Sequence, residues 1–184
     1  MNYSAIKHTD IANGVGVRVS LFVSGCRHHC EGCFNAETWP FDAGKLFDDT
    51  ALSSIIHLLE PDYIDGLSIL GGEPLEPENQ NGVWRVTTAV KSMYPDKDIW
   101  MWTGFTWAEL TIINTRARTD MLPSILENVD VLVDGRFVLD YRDITLRFRG
   151  SPNQRIIDVH KSLEAGHVVE WTDDPICRTR RWSR

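Results

Sequence analysis

"VGVRVSLFVSGCRHHCEGCFN", Val15 to Asn35, runs a strand directly into a cysteine loop. Val17, Val19, Leu21 and Val23 alternate with Arg18, Ser20 and Phe22, the period-two pattern of a β-strand with two different faces. The loop that follows sets Cys26, Cys30 and Cys33 at a C-x3-C-x2-C spacing with no fourth cysteine nearby. Thiols this close together make a poor disulfide framework, and Cys177 lies far off, so the spacing reads as metal ligation in a reducing compartment.

Composition bounds the rest. The 184 residues, 42% of them apolar, suit one domain spanning 1–184 with a core large enough to fold without disulfides. The 19 Lys and Arg stand against 26 Asp and Glu, and a formal net charge of -7 argues against a phosphate backbone as partner, so no nucleic acid is expected. The basic end "CRTRRWSR", from Cys177, reads as a short solvated tail. No signal-peptide layout opens the chain, and no run approaches the roughly 18 apolar residues of a membrane span. A cytoplasmic protein without membrane contact is the expectation.

Beyond the cysteine loop the pattern alternates between strand and helix. Asp49 or Thr50 can cap a helix with Leu52, Ile55, Ile56 and Leu59 on its apolar stripe, stopped by Pro61. "LSIL" forms a short strand leading into Gly71, Gly72, Glu73 and Pro74, and "EPLEPENQNG" at 73–82 reads as a loop. Val83, Val86, Val90 and Met93 mark one face of a helix over about 80–94, followed by the strand "DIWMWT". Thr106 and Glu109 have the offset of a capping box, and "VDVLVDG" at 129–135 and "ITLRFRG" at 144–150 read as two more strands. Repeated β-α units predict a parallel sheet, and the chain falls short of the ~250 residues usual for a closed eight-fold barrel. The expected fold is α/β: a partial, open TIM-type β/α barrel with a mostly parallel sheet of about five or six strands.

The thiol density suits zinc or an iron–sulfur cluster. A structural zinc ion needs a fourth protein ligand, for which His28, His29 or the distant Cys177 are available, although a loop already bent around a metal leaves the two histidines little freedom to turn inward. A cube held by only three thiolates leaves one iron open to a small molecule. The C-x3-C-x2-C run with Phe34 after its last cysteine resembles the signature of radical S-adenosylmethionine enzymes, placed where that family carries it, after the first strand. The resemblance implies a [4Fe–4S] cluster on Cys26, Cys30 and Cys33 whose open iron chelates S-adenosylmethionine. Electron transfer from the cluster then splits the C5′–S bond into methionine and a 5′-deoxyadenosyl radical, which takes a hydrogen atom. Further implied contacts to that cofactor are the backbone of Gly32, Cys33 and Phe34, the Phe34 ring on adenine, and Gly72 and Glu73 at the methionine amine.

Six stretches together narrow the resemblance: "DIANGVGVRVSLFVSGC", "CEGCFNAETW", "GGEPLEPEN", "KDIWMWTGF", "VDVLVDGRF" and "RGSPNQRIID". They are similar to the family of activating proteins of anaerobic (class III) ribonucleoside-triphosphate reductases. The implied protein substrate is the reductase large subunit, one of whose glycines loses a Cα hydrogen, with a low-potential electron donor as second partner. Two departures are visible: Val15 stands where the family usually has proline in "NGPG", and Glu73 where it often has aspartate in "GGDP". Neither removes a ligand. Thr103 is a weaker cofactor candidate that could equally cap a turn, and Arg149, Ser151, Asn153, Gln154 and Arg155 are either loop polarity or contacts to the cofactor or the glycyl segment. Trp100, Trp102 and Trp107 read as packing residues.

Overall fold

The computed structural model describes residues 1–172, so Cys177 and the basic end lie outside the described residues. One α/β sheet holds β1 (Asn2–Asp10), β2 (Arg18–Val23), β3 (Lys45–Leu46), β4 (Gly66–Gly71), β5 (Asp98–Trp102), β6 (Val131–Asp134) and β7 (Arg155–Asp158). The helices are α1 (Asp49–Leu58), α2 (Pro77–Met93), α3 (Trp107–Thr111), α4 (Leu122–Asn128) and α5 (Val159–Ala165). Among the described residues no helix is long and apolar enough to cross a membrane.

The strand order is β3-β1-β2-β4-β5-β6-β7, an open sheet with two free ends. At its centre β2, β4, β5 and β6 run parallel, and the crossovers between them carry α1, α2 and the α3–α4 pair, as the β-α repeats predict. The edges correct the expectation. β1 pairs antiparallel with β2 and β3, and β7 antiparallel with β6, so the sheet is mixed and seven-stranded rather than mostly parallel with five or six. Connection length explains this: residues 11–17 are too few to carry a parallel crossover from β1 to β2, and between β6 and β7 only the short helical turn Leu139–Tyr141 forms.

Four local readings also change. "ITLRFRG" forms turns, not a strand: Asp143 Oδ1 accepts from Thr145 N at 2.8 Å, and Phe148 has φ 61, which breaks an extended run. The strand falls instead at Arg155–Asp158. α2 starts at Pro77, inside the stretch read as a loop, because proline suits the first helical turn and Asn79 and Gln80 are buried rather than solvated. Met93, assigned to its buried face, is 59% exposed. The cap of α1 is Asp48, whose carboxylate accepts from Ala51 N at 2.9 Å. The capping box of Thr106 and Glu109 forms as read.

The alternation in β2 divides the molecule. Val19, Leu21 and Val23 face the helices, joining Leu67, Ile69, Ile99, Met101 and Leu132 from the sheet and Ile55, Val83, Val86 and Ile125 from the helices. Each such side chain, fully buried, contributes about 1.5–3 kcal/mol. Arg18, Ser20 and Phe22 lie on the opposite face, where Arg18 is fully buried. Its guanidinium donates to Ser68 Oγ (2.7 Å), Leu67 O (2.8 Å) and Val15 O (3.1 Å), and contacts Asp98 Oδ1 at 2.6 Å. It also lies 5.6 Å from the Trp100 ring centroid, so one cation ties together the starts of β2, β4 and β5. Trp100 stacks on Trp102 and meets Phe148 and Trp171 edge-on, and Trp107 is buried, which is packing as expected.

Candidate functional site

The segments leaving the C-terminal ends of β2, β4, β5 and β6 are the cysteine loop, Gly71–Pro74, Thr103–Phe105 and Gly135–Phe137. Backbone bonds moor the cysteine loop at both ends: Gly25 N donates to Thr38 O (2.7 Å), Cys26 N to Trp39 O (3.0 Å) and Cys33 N to Cys30 O (3.1 Å). Gly32 permits the tight exit, with φ 68 and the Leu139 side chain 2.7 Å from where a Cβ would sit.

All three thiols are free, Cys26 buried and Cys30 and Cys33 half-buried. Asn35 N donates to Cys33 Sγ at 3.4 Å, and nearby backbone N–H groups, those of His28 and His29 for Cys26 and that of Phe137 for Cys30, favour the charged sulfur. Burial nevertheless pushes the Cys26 thiol up to about 11, the Glu73 charge adding to it, and burial followed by the Cys33 charge raises Cys30. Donors favour charged sulfur while burial opposes it, a conflict that the positive charge of bound iron relieves. The residues fit a cluster. The rings of the two histidines in the loop are packed on neighbouring aromatics: His29 stacks on Trp39 at 4.5 Å, and His28 packs edge-on against Phe105 at 4.6 Å.

Phe34 is 60% exposed, its ring 5.3 Å from that of Phe137 and 5.2 Å from the Arg142 guanidinium. Beside it lies a cavity of about 580 Å³. Cys33, Phe34 and Asn35 line one side, Phe22, Leu70 and Trp102 come from strand ends, and residues of the 142–150 segment close the other side. That volume suits a nucleoside-sized ligand.

Gly72 lets two segments touch: its N donates to Val23 O at 2.8 Å, and a Cβ would stand 2.7 Å from Gly25 O. Glu73 is buried and turned into the protein, accepting from Thr103 Oγ1 (2.8 Å), Gly104 N (2.6 Å) and Leu75 N (2.9 Å). It therefore braces the segments after β4 and β5. Thr103 Oγ1 also accepts from Phe105 N at 3.1 Å, which is the turn-cap role. The polar residues at 149–155 are knitted into the protein: Arg149 donates to Gln154 O, Ser151 Oγ accepts from Val138 N, Asn153 donates to Arg136 O, Gln154 to Gly135 O, and Arg155 pairs with Asp134. Arg149 and Gln154 also line the cavity.

Sequence reasoning missed the supports of this site. Glu76, fully buried at the start of α2, accepts Arg27 N (3.0 Å), Arg27 Nη1 (2.9 Å) and both arms of Arg116 (2.9 Å each). Asn79 Nδ2 donates to Ser24 O (3.0 Å) and Glu73 O (2.8 Å), stitching the cysteine loop to the glycine segment. An acid before Pro77 was the one visible signal of a helix start.

Burial alone would raise the Glu76 pKa, but Arg116 and Arg27 outweigh it and hold it below the carboxylate range, and the Arg27 guanidinium holds Glu78 at about 2. Depressed folded values stabilise above the unfolded pKa of about 4.3 and lose that contribution as pH falls through the folded values. Thermal melts of the metal-free protein should therefore decline from about pH 4.5 toward pH 2. Glu76→Gln should flatten this acid limb. An unchanged slope would remove Glu76 from the account.

Fold and loop together define a single-cluster iron–sulfur protein, and the profile of the 4Fe-4S single cluster domain family matches residues 12–157. An anaerobic ribonucleoside-triphosphate reductase-activating protein of Haemophilus influenzae is 45% identical over 158 residues, covering 85% of this chain and 97% of that protein. Proteins of the same name from Escherichia coli strain K12 (39% over 156 residues, 84% and 96% covered) and Enterobacteria phage T4 (38% over 156 residues, 85% and 93%) are also similar. The chain belongs to the family of anaerobic ribonucleoside-triphosphate reductase-activating proteins, which bears out the resemblance in its motifs.

Proposed function

We propose that the chain holds a [4Fe–4S] cluster on Cys26, Cys30 and Cys33, binds S-adenosylmethionine beside it, and forms a glycyl radical on an anaerobic ribonucleoside-triphosphate reductase. The observation that carries this is the set of three free thiols in one short loop, with Cys33 lining a nucleoside-sized cavity. When bound, the cluster supplies the electron that breaks the C5′–S bond of S-adenosylmethionine. The protein's part is placement. Gly32, Cys33 and Phe34 offer backbone and an exposed ring to the adenine end, and the Gly72 carbonyl, on a backbone braced by the buried Glu73 carboxylate, is offered to the ammonium group. The openness of the sheet leaves room for a polypeptide segment to reach the cavity. The electron comes from a separate low-potential donor.

The test is anaerobic incubation of the reconstituted protein with S-adenosylmethionine, a reductant and the reductase, followed by electron paramagnetic resonance. A glycine-centred doublet on the reductase is expected. Formation of 5′-deoxyadenosine without that doublet would point to a small-molecule substrate or to another glycyl-radical enzyme.

A further inference from the structure

The segments after all four parallel strands meet at one side chain. His28 lies between Cys26 and Cys30, and its side chain is 3% exposed. Its Nε2 approaches Glu73 Oε2, after β4, to 3.1 Å, but out of line, so this buried nitrogen has no aligned hydrogen-bond partner. Its Nδ1 accepts from Arg136 Nε, after β6, at 3.1 Å, and Arg136 in turn donates to Glu109 Oε1 at 3.0 Å. The ring lies edge-on to Phe105, after β5, and Gly104 makes room for it: a Cβ there would stand 2.4 Å from His28 Cδ2.

This arrangement needs an imidazole. The ring offers one nitrogen to the Arg136 guanidinium and turns the other toward a carboxylate already fixed by three other donors. Phenylalanine would fill the same space but leave Arg136 and Glu73 without a polar group between them. We propose that His28 is a positioning residue: it fixes the cysteine loop against Glu73 and so sets the thiols relative to the Gly71–Pro74 segment. Resting on the proposed function, this makes His28 the residue that registers the cluster against the ammonium end of S-adenosylmethionine. It acts through Glu73 and the loop, without touching the cofactor.

The test compares wild type with His28→Ala, His28→Gln, His28→Phe and Arg136→Met after anaerobic reconstitution, in the absence of any reductase. Iron and sulfide content are read first. S-adenosylmethionine is then titrated against the electron paramagnetic resonance spectrum of the reduced cluster. His28→Ala should keep its iron but bind S-adenosylmethionine about tenfold more weakly, with an altered cofactor-bound line shape, as loss of an outer-shell partner does. His28→Gln, which restores a donor toward Glu73, should recover to within about threefold of wild type. His28→Phe should not recover, and Arg136→Met should show a smaller weakening in the same direction. Equal rescue by Phe and Gln, or wild-type affinity in both His28→Phe and Arg136→Met, overturns the proposal. If His28→Ala loses its iron, the Phe and Met variants still decide. A wild-type spectrum indifferent to S-adenosylmethionine contradicts the proposed function itself and takes this inference with it.

Discussion

Serine at Cys26, Cys30 or Cys33 is expected to leave a folded protein with no intact cluster, and S-adenosylmethionine cleavage should drop by more than about a hundredfold. The bound works from below: outer-shell partners of a metal are worth about ten- to a hundredfold, and a ligand exceeds its supports. The fold should survive because main-chain bonds from Gly25 and Cys26 to Thr38 and Trp39, and the Asn79 amide, moor the loop without using any thiol. Far-ultraviolet circular dichroism should match wild type, while iron content and the broad absorption at about 400 nm are lost. A serine variant retaining full colour and cleavage would strike that cysteine from the ligand set.

Arg18→Ala should produce the largest loss of stability, about 3–5 kcal/mol, because it removes a fully buried cation from its pair with Asp98 and leaves the Leu67 and Val15 carbonyls facing a void. For a chain of this size that lowers the melting temperature by about 6–20 °C. Asp98 keeps some exposure, which places the expectation toward the lower end. Melting of the metal-free variant followed by circular dichroism measures it. A loss below about 1 kcal/mol would show that solvent or a local shift replaces the cation, and that the starts of β2, β4 and β5 are registered by apolar packing alone.

The parallel centre of the sheet was legible because its signals are local. The alternation of Val17 to Val23, the stripe of Val83, Val86 and Val90, and the Thr106–Glu109 box each lie within one element. The edges were not. β1, of mixed burial and covered on its outer side by β3 only at Asn2 and Tyr3, shows no clean alternation, and β7 hides in a polar stretch whose side chains turn out to bond inward. "ITLRFRG" carries strand-like composition, and only the Asp143 turn and the φ of Phe148 cancel it. At the site, the three cysteines stand out by their spacing, and the Gly71–Glu73 segment drew notice through its resemblance to a glycine-rich family motif. Their supports do not stand out, because Glu76 reaches Arg27 and Arg116 across 49 and 40 residues, and His28 meets Arg136 across 108. Glu73 shows the limit most clearly: its carboxylate reads as a ligand group from the sequence, yet it faces Thr103 and Gly104.

A cube gripped by Cys26, Cys30 and Cys33 leaves its fourth iron open to a sulfonium nucleotide. Mössbauer spectroscopy of protein reconstituted with ⁵⁷Fe, recorded with and without S-adenosylmethionine, tests it most directly. One iron of the four should change its isomer shift and quadrupole splitting when the nucleotide is added, while the other three hold. Four irons indifferent to the nucleotide, or a protein that takes up stoichiometric zinc in place of iron and sulfide, would contradict it.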